Sequence, residues 1–422
     1  LLPPPVPVAW AARPWCARRR CYIDRMLSTL AIANYRSLRQ LLVPLGQITV
    51  ITGPNGSGKS SVYKALRLLA DIAHGGVVRS LVREGGLAST LWAGPEEITA
   101  RMRRGDVPVQ GTVRRKPVQL QLGFASDEDG FGYAIDIGMP TPSTILKAFA
   151  HDPEIKHEAL WAGPLWRPSA TLVERQAAQL RLRGGGRSAA SWLPVERPVP
   201  RWASMLTEFV DPVAAPEMLT VREQLRSWRF YDHFRSDVDA PARQPQLGTY
   251  TPVLSNDGAD LAAAWETITA IGDHEALMAA VDDAFAGAKI SVHQDGSRLA
   301  LLMHQPGLLR PLHTNELSDG TLRYLLWIAA LLTPRPPQML VLNEPETSLH
   351  PDLLPALGRL IAVAARQTQV IVVTHANRLL AALEDAAAEL DYQAIHLEKN
   401  LGETHIANIP ASELPRWQWH ER

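Results

Sequence analysis

Residues 53–61 read GPNGSGKSS, and they fit the pattern G-x4-G-K-[ST] through Gly53, Gly58, Lys59 and Ser60. The preceding QITVIT is a short β-branched run that predicts a strand ending at Thr52. The following KSSVYKALRLLADIAHGG places Val62, Ala65, Leu66, Leu69 and Ala73 on one stripe. That predicts a helix starting near Lys59 and stopped by Gly75 and Gly76. Strand, glycine loop and helix in this order form a cradle for phosphate. Glycines let the backbone N–H groups of Asn55, Gly56, Ser57, Gly58, Lys59 and Ser60 approach an anion without Cβ clashes, and the helix N-terminus adds partial positive charge. Lys59 can reach β- and γ-phosphates, Ser60 offers its hydroxyl to Mg2+, and Ser61 is counted with the binding residues. The loop therefore predicts a nucleoside triphosphate with Mg2+, and by itself no reaction.

A second stretch, MLVLNEPETSLHP at 339–351, reads as a buried strand running into an acidic turn. It has the form of a nucleotide-hydrolysis strand, with Asn343 where a magnesium-facing aspartate usually stands and Glu344 next to it. Asn343 keeps an acceptor oxygen but lacks the full charge. At about 5 Å and an effective dielectric near 20 that charge pairing is on the order of several kcal/mol before desolvation. The triphosphate supplies most magnesium ligands, so binding is expected to survive with a weak metal site.

Two further stretches are weak alone. ELSDGTLRYLLWIAALLTP predicts a helix with Ser318 as N-cap, and Gly320 there would let a second phosphate approach the first turn. On its own it is a capped amphipathic helix. TQVIVVTHANRLL places Thr374 and His375 at the tip of the next strand, where a lone His is most often a polar cap. The order of phosphate loop, capped helix, acidic strand and His is what makes the set specific.

Taken together, these stretches resemble the ATPase head of the ABC superfamily, in particular its RecF-like and SMC-like soluble branch, an AAA-type P-loop ATPase. IANYRSL at 32–38 is similar to that branch's early Asn-Phe-Arg-Ser stretch, with Tyr35 in the Phe place. The resemblance covers about 26–140 and 255–400. It implies that Lys59 and Ser60 hold ATP and Mg2+, that Glu344 polarises the attacking water, and that His375 touches the γ-phosphate. It also implies that Arg36 approaches the nucleotide, and that Ser318 and Gly320 face the γ-phosphate of a second protomer in a head-to-head homodimer. Ser348, Leu349, His350 and Pro351 resemble the loop crossing that interface. The family's Gln-containing loop has no counterpart in GMPTPSTILKAF at 138–149.

The expected fold is α/β: a P-loop NTPase with an ABC-type head, a mostly parallel sheet flanked by helices and a helical inserted segment. The expected units are a disordered or upstream leader at 1–25, an N-terminal ATPase lobe at 26–140, the insert at 141–255 and a C-terminal lobe at 256–422. Texture sets the insert apart. Between 161 and 235 there are eleven Arg, no Lys and seven acidic residues, with Trp161, Trp166, Trp192, Trp202 and Trp228 interleaved. Such a mixture suits phosphate contact with base stacking. The favoured reading is plainer: the Trp side chains fill a small helical core while the Arg are solvated or paired. Asp232, His233, Asp237 and Asp239 lie close in sequence, but no companion cluster supports a metal site there.

Bulk composition narrows the rest. The 422 residues are 46% hydrophobic and 20% charged, with 43 basic and 43 acidic side chains, so no global charge points to a polyanion. Cys16 and Cys21 form an isolated C-x4-C pair, which excludes a disulfide framework for the body and makes a poor zinc site. No apolar run is long enough for a membrane span, and a cytoplasmic location is expected. The first functional expectation is a slow, DNA-associated ATPase of repair or defence against foreign DNA. The alternative is an ATP-gated dimerisation switch that recruits an effector protein, with little or no hydrolysis. The long insert argues against a transporter energy subunit. Fewer than 50 residues follow His375, so any nuclease activity is expected from a partner chain.

Overall fold

In the strand Ile48–Thr52 the first four residues are buried, as expected of an interior parallel strand covered on both faces. The computed structural model describes residues 26–109, 117–140, 151–184 and 191–419. The leader at 1–25, residues 141–149 of GMPTPSTILKAF, and residues 185–190 lie outside them.

Ile48–Thr52 sits inside a six-stranded sheet. Its order is Arg229–Tyr231, Met339–Asn343, Gln369–Val373, Ile48–Thr52, Tyr392–Asn400, Glu403–Ile406. All pairings are parallel except the last. Successive side chains of a strand point to opposite faces, so each strand feeds two cores. Ile51, Val341, Ile371 and Val373 enter one core, which also holds the helix Lys59–Ala73. Val50, Leu340, Leu342, Val370 and Val372 enter the other. That second core is closed by the helices Leu261–Ile271, His274–Ala284, Asp319–Leu331, Leu354–Ala365 and Asn377–Ala386.

The first core is closed by a larger, antiparallel sheet of eight strands. It runs Leu38–Pro44, Leu27–Tyr35, Leu120–Ser126, Phe131–Gly138, Glu154–Ala162, Thr171–Gln176, Gln179–Arg183, Trp192–Pro194. A mostly parallel sheet is thus only part of the fold, which mixes parallel and antiparallel sheets with flanking helices. LSTLAIANY and QITVIT read in sequence as two strands joined by a short turn, but the strand Leu38–Pro44 intervenes and forms a hairpin with Leu27–Tyr35.

The segment 141–255 carries the helices Met205–Glu208 and Pro216–Ser227, but its first strands continue the eight-stranded sheet. The stretch TVREQLRSWRFYDHF at 220–234 reads as helical in sequence, but the helix ends at Ser227, and Arg229–Tyr231 becomes the edge strand of the parallel sheet. The reason is burial: Phe230 and Tyr231 reach opposite cores, which strand alternation allows. Likewise, residues 262–285 read as one helix in sequence but are broken at Gly272, and Asp273 caps the second piece by accepting from Ala276 N at 2.9 Å. The Trp residues do not build a helical core. Trp161 is buried on the antiparallel sheet beside Trp417, whereas Trp202 is exposed. No helix among the described residues is long and apolar enough to cross a membrane.

Candidate functional site

The phosphate loop leaves the C-terminal edge of the parallel sheet, where open α/β sheets commonly bind ligands. Gly53, Gly56 and Gly58 have φ of 143°, 78° and 112°, conformations that disfavour side chains. A Cβ on Gly58 would lie 2.5 Å from Thr404 Oγ1, and one on Gly53 would collide with the carbonyl of Leu397. The loop is thus clamped by the neighbouring strands: Thr404 Oγ1 donates to the Ser57 carbonyl at 2.7 Å. Lys59 is buried, and its Nζ donates to the carbonyls of Gly53 (2.6 Å) and Pro54 (3.1 Å). Ser57 Oγ is buried without a hydrogen-bond partner among the described residues.

Strand register brings the distant partners alongside. Asn343 pairs with Val373, Glu344 N donates to Val373 O at 2.7 Å, and Thr374 N donates to Ile51 O at 3.1 Å. Three strand tips, about 320 residues apart at the extremes, therefore end side by side. Glu344 turns with φ 49°, a strained conformation of the sort that persists where surrounding contacts impose it. Its Oε1 lies 3.8 Å from His375 Nδ1. Glu346, which the sequence reading passed over, ties this corner together. Its Oε1 accepts from Thr374 Oγ1 at 2.6 Å and His375 N at 3.0 Å and lies 3.3 Å from His375 Nδ1.

One cleft is lined by Arg36, Ser37, Asn55, Gly56, Gly58, Lys59, Ser60, Ser61, Glu344 and Lys399. Arg36 is steered there by Glu84, which accepts from its Nε at 3.1 Å and its Nη2 at 2.5 Å. Lys399 was not anticipated. Its strand Tyr392–Asn400 pairs with Ile48–Thr52, a neighbour relation no local pattern around Lys399 could announce. Asn343, His375, Ser318 and Gly320 do not line this cleft. Asn343 donates through Nδ2 to Asp232 Oδ1 at 2.5 Å.

Ser318 and Gly320 sit on a separate corner. Ser318 Oγ caps its helix by accepting from Thr321 N at 3.2 Å. Arg243 locks this tip, donating to the carbonyls of Thr314 and Leu317 and to Asp319 Oδ1 at 2.8, 2.9 and 2.7 Å. The Gly320 Cα position faces the Ser348 carbonyl, which an added Cβ would meet at 3.3 Å.

The residues present suit ATP with Mg2+. The glycine cradle excludes side chains, Ser57 Oγ is an unused buried donor, and Ser60 and Glu344 bring to the cleft oxygen atoms of the hard kind that Mg2+ prefers. Among the described residues no group of three His, Cys, Asp or Glu is arranged to hold a metal ion, and Asp237 of the 232–239 run pairs with Arg235 at 2.7 Å instead.

This fold and site define a P-loop NTPase-like head. Residues 48–158 and 198–381, more than half of the chain, match the family described as "AAA domain, putative AbiEii toxin, Type IV TA system", and the chain belongs to that family. Among curated proteins it is 43% identical over 44 residues to an OLD nuclease of Thermus scotoductus, covering 10% of this chain and 8% of the relative. It is 28% identical over 105 residues to the phosphate import ATP-binding protein PstB of Parasynechococcus marenigrum, covering 24% of this chain and 38% of that one. The chain thus spans well under half the length of these relatives.

Among solved structures, an Smc head bound to the C-terminal winged-helix domain of ScpA superposes with TM-score 0.49 at 11% identity, covering 92% of this chain and 99% of that one. The SMC head domain from Thermotoga maritima gives TM-score 0.46 at 15% identity, with 92% and 100% covered. Superposition at that level carries nothing about function.

Proposed function

We propose that the chain is an ATPase head that binds ATP with Mg2+ on its phosphate loop, hydrolyses it slowly, and works as a head-to-head homodimer associated with DNA. The observation that carries this reading is that Glu344 lines the same cleft as Lys59 and Ser60, although 284 residues separate Ser60 from Glu344. In this reading backbone N–H groups of residues 55–60 and Lys59 Nζ hold the phosphates, with Arg36 and Lys399 as further cations at the rim. Mg2+, when bound beside Ser60, would supply charge neutralisation for the phosphates. Ser60 and Asn343 contribute oxygen atoms toward the metal. Glu344 accepts a hydrogen bond from the attacking water, and Glu346 holds His375 beside it. Ser318 and Gly320 serve the γ-phosphate of the second copy.

DNA association draws support from the Arg-Trp texture of the insert. Arg181 and Arg183 place their guanidinium carbons 4.7 and 5.4 Å from the Trp192 ring centroid. The family description names a toxin of a toxin–antitoxin system, and one partial relative is a nuclease, which suits defence against foreign DNA. A second reading, an ATP-gated switch recruiting an effector protein without turnover, is favoured by one feature, the missing charge at Asn343. Phosphate release by the wild type, Glu344→Gln and Lys59→Ala separates the two. Release by the wild type well above both variants is expected; equal background rates for all three would remove the enzyme reading.

A further inference from the structure

Asn343, which carries no charge, has a carboxylate beside it from one strand away. Tyr231 pairs with Leu342 in parallel register, so the next residues outward, Asp232 and Asn343, emerge side by side at the C-terminal edge of the sheet. Their side chains bond at 2.5 Å. A carboxylate can only accept, so the nitrogen of the amide must face Asp232, leaving Asn343 Oδ1 as the free acceptor on the opposite arm.

Asp232 has little structural reason to be there. Its side chain is exposed, where a hydrogen bond adds little stability, and it makes no ion pair among the described residues. Its location is nonetheless fixed. The strand before it docks on the phosphate-loop helix through Phe230, whose ring meets that of Tyr63 edge-on at 5.8 Å. Tyr63 lies one turn beyond Ser60, and its phenol is raised to about 12, first by burial and then by the charge of Asp232. The strand that leads into Asp232 therefore packs against the same helix that presents Ser60.

We propose that Asp232 is a positioning residue for the metal: it holds the Asn343 amide so that Oδ1 is the oxygen offered toward Mg2+, and it supplies from the neighbouring strand the negative charge that position 343 lacks. Together the pair does what one aspartate at the strand tip would do. This inference rests on the reading of the cleft as an ATP–Mg2+ site. It deepens that reading by assigning a residue 111 positions away from Asn343 in sequence.

The test is a Mg2+ titration of ATP binding, followed by the ATP-induced rise in melting temperature and by a fluorescent ATP analogue. It is run on the full chain as wild type, Asp232→Asn, and the swap Asp232→Asn with Asn343→Asp. The swap moves the carboxylate to the tip of the adjacent strand and keeps an amide–carboxylate pair. Loss of a metal-orienting partner typically weakens metal affinity about 10- to 100-fold. The half-saturating Mg2+ is therefore expected to rise about tenfold in Asp232→Asn and to return toward the wild-type value in the swap, with melting in the absence of nucleotide little changed. An Asp232→Asn curve that overlays the wild type overturns the inference while leaving the nucleotide site standing. A shifted curve that the swap fails to restore also overturns it, because the carboxylate would then act structurally. If the wild type itself binds no ATP with Mg2+, the cleft reading falls, and the inference with it.

Discussion

Arg323, on the helix that Ser318 opens, donates through Nη1 to the carbonyl of Thr347 at 2.7 Å, and so ties that helix to the turn that follows Glu344. Its Nη2 donates to Phe234 O at 3.0 Å and Ser236 Oγ at 2.9 Å, just beyond Asp232 in the chain. One buried guanidinium thus joins the proposed composite-site helix, the turn after Glu344 and the segment behind Asp232.

Replacing Arg323 with Met leaves three acceptors unpaired, two of them backbone carbonyls. Loss of hydrogen bonds to a buried charged group costs about 2–4 kcal/mol. Chemical denaturation is expected to show that loss. The folded variant is also expected to lose ATP-dependent self-association before it loses ATP binding, since Arg323 does not line the cleft around Lys59.

Gly58→Ala tests the cradle. Its φ of 112° and the approach of Thr404 Oγ1 leave no room for a methyl group. Strain of about 1–3 kcal/mol is expected, felt where the loop meets phosphate. ATP affinity should fall about tenfold or more by calorimetry. Gly56→Ala is the control with space around it, since a Cβ there meets nothing within 4 Å, although its φ of 78° still costs some strain.

Arg175 and Glu158 form an ion pair at 2.7 Å with both side chains fully buried. Glu158 also accepts from Tyr133 Oη, Ser204 Oγ and Met205 N, while Arg175 donates to the carbonyls of Ala177, Pro200 and Ala203. Removing one partner of such a pair costs about 3–5 kcal/mol. Arg175→Met is expected to unfold at clearly lower denaturant while the nucleotide affinity of the folded fraction stays unchanged.

Acid sensitivity has a specific source in Glu174. A hydrogen bond from His157, followed by those from Arg181, holds its carboxyl down at about 2. A depressed folded-state value contributes stability above the unfolded value near 4.5, and that contribution disappears as pH falls toward 2. Glu174→Gln is therefore expected to be less stable than the wild type at neutral pH, with the gap closing between about pH 4.5 and 2. A gap that is constant across this window would contradict the assignment.

Local pattern made the phosphate loop, the capped helix at Ser318 and the strand at Met339–Asn343 legible, because each depends on residues within a turn or two of one another. The antiparallel sheet was only partly legible. Strands such as Thr171–Gln176 carry Glu174 and Arg175 inward, and these read as surface until a buried pairing satisfies them. The neighbours of Asp232, Glu346 and Lys399 were illegible for a different reason. Their positions follow from which strands lie side by side, and Asp232 meets Asn343 only because Arg229–Tyr231 becomes the sheet edge rather than the end of a helix.

The most direct test of the account is the mass of Glu344→Gln in solution, by light scattering, with and without ATP and Mg2+. With turnover blocked, two chains should close face to face, each lending its Ser318 helix tip to the other's phosphate loop, and the mass should double on adding ATP. A protein that binds ATP under these conditions yet keeps the mass of one chain would contradict the account.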